Sequence, residues 1–308
     1  MMKLYDTVII GGGGSGLTAA LYASRARLST LLLEKLTPGG QIALTDLVEN
    51  YPGFPEGVLG PEISQRMEQQ AKRYGTEIIY REAKSIVRKD KSFEINTAKE
   101  SFEAKSIILA SGASFRMLGA PGEKELTGRG VSYCATCDGA FFNNKEIVVV
   151  GGGDSAMQEG IFLTRFATKV TVIHRRDKLR ASPILQERAR QNPKIEFIWN
   201  TVIETIEGDK KVEGVVLKQA ETGEKKKFKT DGVFVFIGHE PNSKFVKGFV
   251  DLNEQGYVKT DAHLQTSVAG VFAAGEIREG AVKQLVAACG EGCEAALAVQ
   301  AYLEEHFG

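Results

Sequence analysis

Leu4-Tyr5-Asp6-Thr7-Val8-Ile9-Ile10-Gly11-Gly12-Gly13-Gly14-Ser15-Gly16 stands near the start of the chain, and its reading decides the fold. Residues 4–10 form a short apolar run of the kind that makes a buried parallel strand. The Gly11-x-Gly13-x-x-Gly16 spacing marks a turn into a helix. Its first glycine permits the tight turn, the second lets backbone approach a pyrophosphate, and the third brings helix close to strand. Residues 14–27 then read as that helix, and 30–33 as a second buried strand ending in Glu34. Strand, helix and strand make a βαβ unit.

The pattern restarts at Val148-Val149-Val150-Gly151-Gly152-Gly153-Asp154-Ser155-Ala156. Gly11 aligns with Gly151, Gly12 with Gly152, Gly13 with Gly153, Ser15 with Ser155 and Arg25 with Arg165. Residues 146–150, 154–166 and 170–173 repeat the strand, helix and strand. The repeat predicts an α/β chain with two Rossmann-like three-layer nucleotide-binding domains. Alternating residues in 84–104 and 202–230 give each domain an antiparallel meander. Helix 61–74, strands 106–110, 233–237 and 271–274, and a long apolar helix over 282–305 complete the outline. After Pro241 the chain is expected to return, so that the second domain is inserted into the first. The alternative is that one copy is a degenerate structural repeat, but both copies keep the glycines that a bound pyrophosphate needs.

The two copies differ where the adenosine ribose is read. A carboxylate at Glu34 accepts hydrogen bonds from ribose hydroxyls and repels a 2′-phosphate, so the first site suits FAD or NAD. The equivalent position in the second copy is His174, followed by Arg175, Arg176 and, a turn later, Arg180. Guanidinium groups bind phosphate bidentately, so this site suits NADP. A solvated basic face is the plainer alternative.

Between the two copies lies Cys134-Ala135-Thr136-Cys137-Asp138. With 39 basic and 39 acidic residues the net charge is zero, which argues against a nucleic-acid partner. No apolar run reaches the roughly 18 residues of a membrane span, and the N-terminal stretch reads as a first strand rather than a signal peptide. A cytoplasmic location is therefore expected. A close cysteine pair in that reducing compartment is redox-active or metal-binding rather than a staple.

Taken together, Gly11–Gly16, Pro38-Gly39-Gly40-Gln41, Glu49-Asn50-Tyr51-Pro52-Gly53-Phe54-Pro55, Ala110-Ser111-Gly112-Ala113, Cys134–Gly139, Gly151–Ala156, His174-Arg175-Arg176 and Ile237–Asn242 resemble, end to end, the low-molecular-weight thioredoxin reductases of bacteria. The cysteine motif inside the second nucleotide domain is the most specific piece. The resemblance implies a homodimer whose discontinuous domain, 1–115 with 245–308, holds FAD and whose inserted domain, 116–244, holds NADPH. For FAD it implies contacts from Gly11, Gly13, Ser15, Gly16, Glu34, Lys35, Gly40, Gln41, Asn50, Ala110, Gly112, Gly275, Glu276, Lys283 and Gln284. For NADPH it implies Gly151, Gly153, Asp154, Ser155, Ala156, His174, Arg175, Arg176, Arg180, Ile237 and Gly238. Electrons would pass from NADPH through FAD to a Cys134–Cys137 disulfide, and from that dithiol to the disulfide of thioredoxin. Cys137 would lie nearest the flavin, Cys134 would attack thioredoxin, and Asp138 would move the proton. One dithiol cannot face flavin and protein substrate together, so the resemblance also implies a rotation about linkers near 115–121 and 245–247. Arg129, Phe141 and Phe142 flank the motif and are candidates for the docking surface, or for ordinary packing and solvation.

Three positions depart from the family pattern. Glu276 stands where the family has Asp, Lys283 where it has Arg, and Leu285 where it has Ala. FAD is still expected to bind, with weaker affinity or an altered flavin potential. Other readings keep the fold but change the donor to NADH or reduced ferredoxin, or the acceptor to a glutaredoxin-like protein or peroxiredoxin module. A zinc site from Cys134, Cys137, Cys289 and Cys293 is permitted by spacing, although packing among small residues explains the last two. No metal is expected. A flavin-bound redox sensor is the non-enzyme alternative. His239, His263 and His306 read as structural or surface residues.

Overall fold

Val8, Ile10, Leu31, Leu33, Ile107 and Leu109 point to one face of a sheet, while Ile9, Leu32, Ile108 and Phe272 point to the other. Both sets are buried, because a parallel strand is covered on both faces and its side chains alternate. The protein is described by a computed structural model covering residues 3–44, 47–48 and 50–308. Glu49 of the quoted motif, and residues 1 and 2 of the first predicted domain, lie outside the described residues.

The chain divides into two compact units, Met1–Ser114 with Glu240–Gly308, and Phe115–His239. In the first unit the sheet is built on parallel strands Glu77–Tyr80, Thr30–Glu34, Leu4–Ile10 and Ser101–Leu109. Ser101–Leu109 serves two neighbours along its other edge. Its first half pairs antiparallel with Phe93–Thr97, and its second half pairs parallel with Val271–Ala273. Sequence patterning splits this element into a meander strand and a separate strand at 106–110. The structure makes it one strand, because alternation at 101–106 passes without a turn into the fully buried run 106–109.

Helix Gly14–Arg25 and the final helix Leu285–Phe307 cover one face, with Leu17, Ala19, Ala20, Ala23, Ala295, Ala296 and Val299 against the sheet. Small residues let the two helices approach closely. A Cβ on Gly292 would stand 2.1 Å from the Ser15 carbonyl oxygen. Each large side chain fully buried here contributes about 1.5–3 kcal/mol. The final helix starts three positions later than patterning places it, with Gln284 as its extended N-cap.

The second unit repeats the parallel arrangement in the order Val131–Ser132, Gly232–Val235, Glu146–Val150, Lys169–Ile173, Ile195–Ile198. Helices Asp154–Leu163 and Pro183–Gln191 lie on it, and a three-stranded antiparallel sheet over 201–229 packs its apolar side against Val148, Val150 and Val233. The chain passes between units through Ala113–Phe115 and His239–Pro241, two strands that pair with each other. The second crossing falls earlier than residues 245–247. Asn242 is already tied to Ser111 by two hydrogen bonds, and Val246 is fully buried in the first unit's core.

Candidate active site

In the first unit Glu34 closes its strand with its carboxylate turned back on the glycine loop. One oxygen accepts from the Gly12 amide at 2.7 Å and the other from Leu36 at 2.9 Å. Gly16 is required by space, since a Cβ there would stand 1.8 Å from the Gly11 carbonyl oxygen. Gly13 is the helix N-cap, with no side-chain cap and nothing within 4 Å of where its Cβ would be. Open space before an uncapped helix N-terminus fits a pyrophosphate. The Gly40 turn comes against this loop, a Cβ on Gly40 lying 3.3 Å from Gly13 Cα. Ala110 backs Gly11 and Gly16, and a Cβ on Gly275 would meet Ser15 Oγ at 2.6 Å. Gly112 has φ +64°, and Lys35 is exposed.

Further along the same unit, Gln41 Nε2 donates to the Ala113 carbonyl and, at 3.3 Å, to Glu276. Asn50 Nδ2 donates to Gln284 Oε1 at 3.0 Å. Burial raises the Glu276 pKa, against the charge of Lys283 and the Gln41 hydrogen bond, and burial lowers that of Lys283. The structure thus gathers Gln41, Asn50, Glu276, Lys283 and Gln284 into linked pairs. Arg278, not singled out by the sequence, forms a two-pronged pair with Glu291 at 2.8 and 2.6 Å, and Glu291 also accepts the Gly275 amide. Cys289 is buried beside Gly14, and burial with the neighbouring Cys289 pushes the Tyr51 phenol up to about 12.

The second unit has the same open loop at Gly153, again an uncapped helix start. Arg175, Arg176 and Arg180 are exposed beside it, and the Arg180 amide donates to the Gly152 carbonyl. His174 behaves differently from its arginine neighbours. It is 6% exposed, its Nε2 lies 3.0 Å from the Lys178 carbonyl oxygen, and its ring fills the space over Gly152. Burial lowers its pKa, and the nearby arginines lower it further. His174 therefore shapes the loop as a buried ring whose charged form burial disfavours, against the Lys178 hydrogen bond, and the three exposed arginines carry the charge. Asp154 accepts from the Ser182 amide, Ser155 is exposed and Ala156 buried, and Ile237-Gly238 follow strand Gly232–Val235.

Cys134 and Cys137 are joined as a disulfide, Cα atoms 5.4 Å apart. Cys134 is the N-cap of the turn Ala135–Asp138, its sulfur accepting from the Cys137 amide at 3.2 Å. Ser132, which sequence reasoning missed, donates to Asp138 Oδ2 at 2.6 Å and accepts from the Cys134 amide. A serine alternating with the first cysteine across Tyr133 was the available signal. Phe142 is buried edge-on against Phe234, whereas Phe141 and Arg129 are exposed. Cys289 and Cys293 are free thiols on the final helix. Among the described residues, no helix is long and apolar enough to cross a membrane.

Residues 5–292 match the family model for pyridine nucleotide-disulphide oxidoreductases. The thioredoxin reductase of Bacillus subtilis (strain 168) is 53% identical over 304 residues, 98% of this chain and 96% of that one. That of Peptoclostridium litorale is 49% identical over 313 residues, covering 100% and 99%. The crystal structure of thioredoxin reductase from Streptococcus pyogenes MGAS5005 superposes with a TM-score of 0.94 at 44% identity, covering 99% and 100% of the two chains. On these matches and on the paired glycine loops, the chain belongs to the pyridine nucleotide-disulphide oxidoreductase family.

Proposed function

We propose that this protein is an NADPH-dependent flavoprotein that reduces the disulfide of thioredoxin. The observation that carries the proposal is the Cys134–Cys137 disulfide, set in the unit whose open glycine loop is flanked by three exposed arginines. Near-full-length similarity to proteins named thioredoxin reductase supports the choice of acceptor.

Both glycine loops fit a dinucleotide, because each leaves open space before an uncapped helix. In the first unit Gly11, Gly13, Ser15, Gly16, Glu34, Gly40, Gln41, Asn50, Gly275, Glu276 and Gln284 would hold FAD. In the second, Gly151, Gly153, Arg175, Arg176 and Arg180 would hold NADPH. When bound, the two cofactors would supply the electron pair for reduction of the cysteine disulfide. Cys134, as thiolate, then attacks one sulfur of the thioredoxin disulfide and displaces the other as a thiol. Cys137 attacks the mixed disulfide, the Cys134–Cys137 bond re-forms, and thioredoxin leaves as a dithiol. Asp138 protonates the departing thiolate. Its negative charge would itself disfavour a thiolate, so proton transfer suits it better than thiolate stabilisation. Ser132 fixes the carboxylate for that task. The reading includes a homodimer and a cytoplasmic location, both implied by the resemblance.

Anaerobic flavin spectroscopy tests the proposal. NADPH should bleach the flavin more readily than NADH, and oxidised thioredoxin should restore its colour. Cys134→Ser should still bleach but fail to turn over thioredoxin. Bleaching by reduced ferredoxin alone would overturn the donor assignment.

A further inference from the structure

Tyr133 directly precedes Cys134, and none of the chemistry above uses it. Its ring is stacked on Phe115, with centroids 4.8 Å apart and planes 17° apart. The Phe115 ring also packs on His239 at 4.9 Å. Phe115 and His239 are the first and last residues of the inserted unit, and each belongs to one of the two paired crossing strands.

The phenol is held as firmly as the ring. Its hydroxyl donates to Glu123 Oε1 at 2.9 Å. The same carboxylate, 1% exposed, accepts the Leu118 and Gly119 amides at 2.9 and 2.8 Å. Burial, and then the Glu123 hydrogen bond, raise the Tyr133 pKa, so the donor keeps its proton. One side chain therefore touches the crossing with its ring and the segment just beyond the crossing through Glu123. Its main-chain neighbours, Ser132 and Cys134, hold Asp138 and cap the cysteine turn. Close-packed rings transmit displacement rather than absorb it.

We propose that Tyr133 is a positioning residue that transmits the conformation of the two crossing strands to the Cys134–Cys137 turn and so sets the reactivity of Cys134. The proposal rests on the assignment of that pair as the redox centre. If a shift in the crossing strands moves Phe115, it moves the Tyr133 ring, and with it the backbone that aims Cys134.

The test needs neither thioredoxin nor NADPH, so its failure is distinct from failure of the proposed function. The holoenzyme is reduced with dithiothreitol, freed of reductant, and alkylated with iodoacetamide across a pH series. Peptide mass spectrometry follows Cys134 separately, with Cys289 and Cys293 as reporters of general loosening. Phe115→Leu and Tyr133→Leu should each change the Cys134 rate by about fivefold, and the double variant should change it no more than the larger single one, because both cut one connection. Tyr133→Phe keeps the stack but loses the Glu123 anchor, and should change the rate in the same direction by less. The Cys289 and Cys293 rates should stay unchanged. Fold-changes that multiply in the double variant overturn the proposal. So does a Tyr133→Phe rate equal to that of the unmodified protein, whether or not the leucine variants fold.

Discussion

Glu276 shows how one residue sets a pH dependence. Burial raises its pKa above the ordinary glutamate range, with Lys283 and Gln41 opposing. A raised folded-state pKa means that the folded protein holds the proton more tightly than the unfolded chain does. Its contribution to stability is then complete below the unfolded pKa and is lost as pH rises through the folded one. Glu276→Gln keeps an acceptor for Gln41 and removes the titration. Thermal melting should place the variant above the parent protein at about pH 8 and close to it at about pH 4. A stability difference independent of pH would assign the effect to packing instead. The cysteine pair and the place of Glu34 at the end of its strand were legible at this scale, because both are carried by residue type and offset. Ser132, Glu123 and Tyr133 were not, because a serine, a glutamate and a tyrosine acquire these partners only when the strand, turn and crossing fold together.

At the scale of the element, the two βαβ units solve one packing problem with different residues. Gly16 abuts the Gly11 carbonyl, whereas its counterpart Ala156 accommodates a methyl group at full burial. The first helix therefore sits closer to its strand than a side chain allows. Gly16→Ala should destabilise the protein by about 1–3 kcal/mol, the range for overpacking a close contact. Urea unfolding with flavin absorbance measures both the loss and any release of FAD. An unchanged midpoint would mean that the helix can move away from the strand at no cost. The strand, helix and strand around each glycine loop were readable from apolar runs and glycine spacing, whereas Glu77–Tyr80, Pro183–Gln191 and Ile195–Ile198 carry no such signal. The double service of Ser101–Leu109 was not, because a strand's second neighbour comes from Val271–Ala273, remote in sequence.

Across the whole molecule, the two nucleotide loops belong to separate compact units, each with its own core. A ligand that binds only the folded state stabilises the unit that holds it. NADP⁺ at a hundredfold excess over its Kd should stabilise Phe115–His239 by about 2.7 kcal/mol and leave the other unit's transition in place. Calorimetry, or hydrogen exchange read peptide by peptide, separates the two. Protection that appears first around Gly11–Gly16 would place the nucleotide in the wrong unit.

The sequence by itself determined the repeat, the insertion of one nucleotide domain into the other, the carboxylate-versus-arginine contrast between the sites, and the cysteine pair. These follow from local chemistry: glycine where backbone must come close, a charge at a fixed offset, two thiols one turn apart. Tertiary structure alone decided that His174 is a buried ring packed over Gly152, that the return crossing comes at His239–Pro241, and that Tyr133 joins that crossing to Cys134. Each of these depends on burial or on contacts between segments far apart in the chain, and no local pattern encodes which distant side chain will fill a given space.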